Sequence, residues 1–193
     1  MQRRAFLHRL VGVLPVAAGT SSLLAFGRRA FALGGTLPSL NAPAPDFDLP
    51  GIAPAADGQA LETRLTLADF RGRWLVLYFY PRDFTGGCTL EARGFQTDLA
   101  AFQAADAAVV GVSADDADSH ADFCTSEGLA FPLLSDPAGT VSRAYGSWIP
   151  PFSQRHTFLI DPSGVLRASW VAVRPSGHSR EVLSALLELQ ANP

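Results

Sequence analysis

The chain contains no lysine: all 15 of its basic residues are arginine. That absence excludes Schiff-base catalysis and a lysine-bearing phosphate loop. Cysteine is almost as scarce, with only Cys88 and Cys124. Two cysteines cannot build a disulfide-dense mini-protein or a four-cysteine zinc site. Nor do they stand in the Cys-x-x-Cys spacing usual for general dithiol exchange. His120, His156 and His178 are too far apart in sequence to give metal-ligand spacing. Charged residues make up only 17% of the chain and form no basic stripe, which argues against a nucleic-acid partner. Hydrophobic residues make up 48%, so intrinsic disorder is excluded, and 193 residues suit one domain.

Acidic residues are missing from one region altogether. Residues 1–32 hold Arg3, Arg4, Arg9, Arg28 and Arg29 and no Asp or Glu. The rest of the chain carries 10 Arg against 18 acids, a net charge of −8. A basic head, an apolar stretch from Leu10 to Phe26 and an Ala30-Phe31-Ala32 end have the layout of an export signal. The stretch is broken by Pro15, Gly19, Thr20, Ser21 and Ser22 and is short for a membrane span of roughly 20 residues. Arg3, Arg4, Phe6 and Leu7 resemble the twin-arginine translocation signal, with His8 where a lysine is common. The resemblance implies export of a folded protein, with residues 1–32 as signal, cleavage after Ala32 and residues 33–193 as the working domain. The compartment would be the periplasm, or the thylakoid lumen in a photosynthetic organism, with no stable membrane association after cleavage.

Along the working domain, Asp46 to Leu49 is predicted as a short strand and Pro50 to Gly58 as a turn-rich stretch. Leu65 to Leu67 alternates only weakly, and Leu67 to Phe70 reads as one helical turn stopped by Gly72. Trp74 to Tyr80 is seven consecutive apolar or aromatic residues, the signature of a strand buried on both faces. Helices are predicted over 88–104, with Leu90, Phe95, Leu99 and Phe102 inward, over 115–127 closed by Gly128, over 137–145, and over 179–189. In the last of these Val182, Leu183, Leu186 and Leu187 are expected to face inward. Strands are predicted over 107–112, 131–134, 156–161 and 165–173, the last two joined by Pro162-Ser163-Gly164. An α/β alternation ending in a hairpin and a helix predicts a mixed central β-sheet with helices on both faces.

The informative stretch is Tyr80-Pro81-Arg82-Asp83-Phe84-Thr85-Gly86-Gly87-Cys88-Thr89-Leu90-Glu91. A buried strand ends at a proline, a Gly-Gly loop follows, and a helix begins. Cys88 therefore falls in the first turn of a helix, where unpaired N–H groups and the helix dipole favour a thiolate, the nucleophilic form. Gly86 and Gly87 leave backbone donors free to face a polar substrate. A competing reading makes Cys88 half of a structural disulfide with Cys124, within a non-catalytic exported domain.

Pro81, Thr85 and Cys88 form a P-x-x-x-T-x-x-C pattern that resembles the signature of peroxiredoxins. Leu77 to Pro81, Cys88 to Glu91, Ala44 to Phe47, Phe131 to Asp136, Ala144 to Gly146 and Thr157 to Asp161 extend the likeness to the peroxiredoxin Q, or bacterioferritin comigratory protein, branch. The resemblance spans most of residues 41–190. It implies a thioredoxin-like fold, no cofactor, and reduction of hydroperoxides by a cysteine. Within it, Cys88 takes the place of the peroxidatic nucleophile and Thr85 that of the hydroxyl bonding thiolate and peroxide. Pro81 takes the place of the residue shielding the sulfur from water, and Arg155 that of the active-site arginine. A guanidinium there would favour the thiolate and hold peroxide oxygens. Arg82 reads as a solvated loop residue, and Glu91 either as a holder of a nearby arginine or as a plain helix-face acid.

Many members of the branch carry a resolving cysteine five residues after the first; here that position is Arg93. Cys124, on the next helix, is the remaining candidate. It would condense with the Cys88 sulfenic acid to an intramolecular disulfide, which a thioredoxin-like reductant reopens. Bonding two sulfurs that start on different helices requires local unwinding. The alternative leaves Cys124 an inert buried thiol and the enzyme a one-cysteine peroxidase. The resemblance also implies a monomer. Trp74, Trp148 and Trp170 read as core or rim packing.

Overall fold

The computed structural model describes residues 31–32, 34–55 and 59–192. The basic head and apolar stretch of the expected signal lie outside these residues. β1 (Phe31–Ala32) and β2 (Gly35–Thr36) form a small ribbon that straddles the expected cleavage point.

Seven strands form the central sheet. β3 (Asp48–Pro54) and β4 (Ala60–Thr66) make a hairpin, and a single 3-10 turn at Leu67–Phe70 leads into β5 (Trp74–Phe79). Then follow α1 (Gly86–Ala104), β6 (Ala107–Ser113), α2 (Ala117–Glu127), β7 (Leu133–Ser135) and α3 (Thr140–Ala144). A ribbon of β8 (Trp148–Ile149) and β9 (Phe152–Ser153) precedes β10 (His156–Ile160), β11 (Leu166–Trp170) and α4 (His178–Ala191). The sheet order is β11-β10-β5-β6-β7-β3-β4. β5, β6 and β7 run parallel, and the flanking pairings are antiparallel, so the sheet is mixed as predicted.

β5 alternates between two cores. Val76 and Tyr78 point to the side where α1, α2 and α4 pack through Phe95, Phe102, Phe123, Val182 and Leu186. Leu75, Leu77 and Phe79 point to the other side, covered by the 3-10 turn, α3 and the lead-in segment through Phe70, Tyr145 and Phe47. All of β5 after Trp74 is buried, which is why it reads as an unbroken apolar run. Gly111 in β6 makes this packing possible: a Cβ there would sit 2.8 Å from the Tyr78 ring.

The β3–β4 hairpin corrects the turn-rich expectation for Pro50 to Gly58. β3 pairs with β7 only at Gly51 and Ile52, so Pro50 and Pro54 fall where β3 has one partner and fewer donors are required. β4 is an edge strand whose exposed Glu62 and Arg64 protect it from further pairing, which also blurs its alternation. Two apolar side chains expected inward are outward. Leu90 lies off the α1 stripe of Cys88, Ala92, Phe95, Leu99 and Phe102, and Leu187 lies off the α4 stripe of Val182 and Leu186.

Candidate active site

β5 ends at Tyr80-Pro81, and the chain turns through Phe84, whose φ of 57° is left-handed and strained for a bulky residue. Thr85 is the N-cap of α1, so the helix begins at Gly86, two residues earlier than predicted. Cys88 remains in the first turn. The Thr85 side chain makes no cap bond to the helix; its hydroxyl donates to the Arg82 carbonyl at 3.0 Å. The opening amides of α1 are therefore not claimed by a capping side chain, and they point toward the region where an anion would gather. In this resting state the Thr85 proton is given to the Arg82 carbonyl. Its lone pairs remain available as acceptors.

Cys88 is 1% exposed and unbonded. Arg155, in the segment just before β10, reaches it with Nη2 donating to Sγ at 3.2 Å. The other guanidinium nitrogen, Nη1, pairs with the buried carboxylate of Glu91, one turn further along α1. The reading of Glu91 as a holder of a nearby arginine is thus the one the structure supports. Burial pushes the Glu91 carboxyl up to about 7, with Arg155 pulling the other way. The arginine is held at both ends of its fork, and its position depends on Gly87. A Cβ on Gly87 would sit 3.1 Å from Arg155 Nη2. Pro81 is half-buried at the strand end, and Arg82 is an exposed loop residue 3.9 Å from Asp115.

Cys124 lies in the C-terminal part of α2, 4% exposed and unbonded. Gly128, at φ 61°, ends the helix by donating to the Cys124 carbonyl. Burial, together with the charge of Asp83, pushes the Cys124 thiol up to about 12, so it is a protonated thiol at neutral pH. Arg93, at the position where many relatives of the branch have a second cysteine, pairs instead with Glu127 of α2 at 2.5 Å.

Sequence reasoning missed a buried polar cluster beside the nucleophile. Asp83 accepts from the Tyr80 hydroxyl at 2.7 Å, from Ser119 Oγ at 2.8 Å and from His120 Nδ1 at 2.9 Å. A signal was present. His120 shares a helical face with Phe123 and Cys124, and a histidine on an apolar stripe calls for a buried partner.

The arrangement has the parts of a thiol nucleophile. A sulfur at a helix N-terminus lies within reach of a fixed guanidinium, with backbone donors beside it. Residues 40–169 match the AhpC/TSA family. The chain is 40% identical over 156 residues to peroxiredoxin Bcp of Xanthomonas campestris, covering 76% of this chain and 93% of that one. It is 34% identical over 154 residues to peroxiredoxin Bcp of Bacillus subtilis, with the same two coverages. Among solved structures, Xanthomonas campestris peroxiredoxin Q superposes with a TM-score of 0.66 at 37% identity, covering 74% of this chain and 90% of that one. The bacterioferritin comigratory protein of the same species gives 0.64 at 36% identity, covering 74% and 91%. A reactive-cysteine site on a thioredoxin-like fold and this degree of likeness agree: the chain belongs to the AhpC/TSA family, in its Bcp/PrxQ branch of thiol-dependent peroxidases.

Proposed function

We propose that the protein reduces hydrogen peroxide and alkyl hydroperoxides through Cys88, is resolved by Cys124, and is recycled by a thioredoxin-like reductant. The observation that carries the first step is the Arg155 Nη2 contact to Cys88 Sγ at 3.2 Å. The thiolate attacks the proton-bearing oxygen of the peroxide. The S–O bond forms as the O–O bond breaks, sulfur loses two electrons, and the alkoxide takes a proton and leaves as alcohol, or as water from hydrogen peroxide. Arg155 and the first-turn amides oppose the negative charge on the reacting oxygens. An alkyl substrate is favoured because the related Xanthomonas campestris bacterioferritin comigratory protein has alkyl peroxide reduction activity.

In the second step the Cys124 sulfur attacks the Cys88 sulfenic acid. The S–S bond forms, the S–O bond breaks, and hydroxide leaves with the Cys124 proton as water. Two thiols of the reductant then exchange with the disulfide and carry its oxidation away. The burial of Cys124 and its separate helix support a cycle in which α2 opens after the first step. Residues 1–32 act as a twin-arginine export signal, supported by Arg3, Arg4, Phe6, Leu7 and the Ala30-Phe31-Ala32 end. The working enzyme is then a periplasmic or thylakoid-lumen monomer, and its monomeric state rests on resemblance to the branch alone.

Peroxide consumption with a thiol reductant tests the assignment of the nucleophile. Cys88→Ser is expected to reduce turnover to the uncatalysed level, because the thiolate is the group that attacks the peroxide bond. Wild-type turnover in that variant would sink the reading.

A further inference from the structure

The buried cluster around Asp83 joins two parts of the molecule that the reaction must separate. Asp83 belongs to the loop that carries Pro81 and Thr85. His120 and Ser119 belong to α2, the helix that carries Cys124. Both Asp83 carboxylate oxygens are engaged: Oδ1 by the Tyr80 hydroxyl, Oδ2 by Ser119 Oγ and His120 Nδ1. Asp83 is 3% exposed and His120 is fully buried. The Asp83 amide also donates to Asp115 just ahead of α2, at 2.9 Å, and Ser113 Oγ donates to the same carboxylate oxygen at 2.7 Å. Aromatic packing runs beside these bonds, with Phe84 edge-on to Phe123 at 5.1 Å.

We propose that Asp83 and His120 form a latch that holds α2 against the active-site loop, and that its release sets the rate at which Cys124 reaches the Cys88 sulfenic acid. This rests on the reading of Cys124 as the resolving thiol. Three observations carry it. The first is placement: Asp83 Oδ2 joins the loop leading to the nucleophile directly to Ser119 and His120 of the helix that must open. The second is α2 itself, which has 11 residues and little stability of its own once its tertiary contacts are lost. The third is His120 Nε2, which is buried without a hydrogen-bond partner. That nitrogen regains a water partner when α2 opens, so the closed latch is held by Nδ1 against an opposing cost on the other side of the ring. Oxidation supplies a trigger. An oxygen added to a sulfur that is 1% exposed overpacks a site with little free space.

Asp83 and His120 are thus positioning residues, and their test separates opening from chemistry. Full-length reduced protein is treated with one equivalent of hydrogen peroxide and quenched by alkylation. Mass spectrometry then follows the Cys88 sulfenic acid and the Cys88–Cys124 disulfide over time. Hydrogen exchange of the α2 amides is measured on the same reduced samples. His120→Phe keeps an aromatic ring and removes the Nδ1 donor; it is expected to speed α2 exchange and disulfide formation about tenfold, with sulfenic acid formed at the wild-type rate. His120→Asn returns a donor close to the Nδ1 position and is expected to restore wild-type rates. Ser119→Ala, a milder lesion, is expected to give a smaller acceleration in the same direction. Wild-type exchange and disulfide rates in His120→Phe would overturn the latch while leaving the resolving role of Cys124 intact. Absence of the Cys88–Cys124 disulfide in the wild-type protein would instead overturn that role, and the gate with it.

Discussion

At the scale of single residues, the site depends on where one guanidinium is held. Arg155 is gripped by Glu91 at one nitrogen and offers the other to Cys88, and Gly87 leaves the space in which it lies. Gly87→Ala should displace the arginine by a few tenths of an ångström. We expect kcat/KM for hydrogen peroxide to fall about tenfold, since small misplacements of a charge-stabilising group are costly. Stability should change by no more than about 1 kcal/mol, because alanine is the better helix former; steady-state kinetics and thermal unfolding check both. Glu91 gives a pH signature. Its folded pKa, about 7, lies above the ordinary 4.5 because burial disfavours the carboxylate. Between those values the folded state binds more protons than the unfolded one, so stability falls as pH rises from about 4.5 to 7 and then levels off. The loss should be at most about 3 kcal/mol. Denaturant unfolding across that window should show the decline in wild type and a flatter profile in Glu91→Gln.

At the scale of elements, the proposed cycle turns on α2. Cys124→Ser should form the Cys88 sulfenic acid at the wild-type rate. Its thioredoxin-coupled turnover should fall at least about tenfold, with sulfinic acid accumulating on Cys88 at high peroxide. Stopped-flow kinetics and mass spectrometry separate these outcomes. The elements that build the site were the most legible in sequence. Trp74 to Tyr80 announced a doubly buried strand, Pro81 and the Gly-Gly pair announced a strand-to-helix turn, and Gly128 announced the end of α2. The β3–β4 hairpin was hidden because its edge strand is half solvated and its inner strand holds two prolines, so local pattern and tertiary pairing disagree. The Asp83–His120 contact was hidden for a different reason. Its partners lie 37 residues apart, and only the parallel pairing of β5 with β6 brings the loop after one strand beside the helix after the other.

At the scale of the whole molecule, the proposed export reading divides the chain into an address and a working domain. Residues 1–32 carry five Arg and no acid, while the remainder is strongly acidic. Replacing Arg3 and Arg4 by Lys together should leave the full-length chain in the cytoplasm, as cell fractionation would show, while purified enzyme keeps its peroxidase rate. Fold and chemistry meet at the ends of the parallel strands, where the loop after β5 and the helix after β6 converge. The burial of Cys124 has a consequence for the order of events. Its thiol, pushed up to about 12 by that burial, stays protonated and is a poor nucleophile toward a peroxide or an alkylating agent in the resting protein. Oxidant entering the site therefore meets one competent sulfur at a time. In the proposed cycle the chronology is written into each sulfur's surroundings, with a guanidinium facing the first and the second kept protonated until α2 opens.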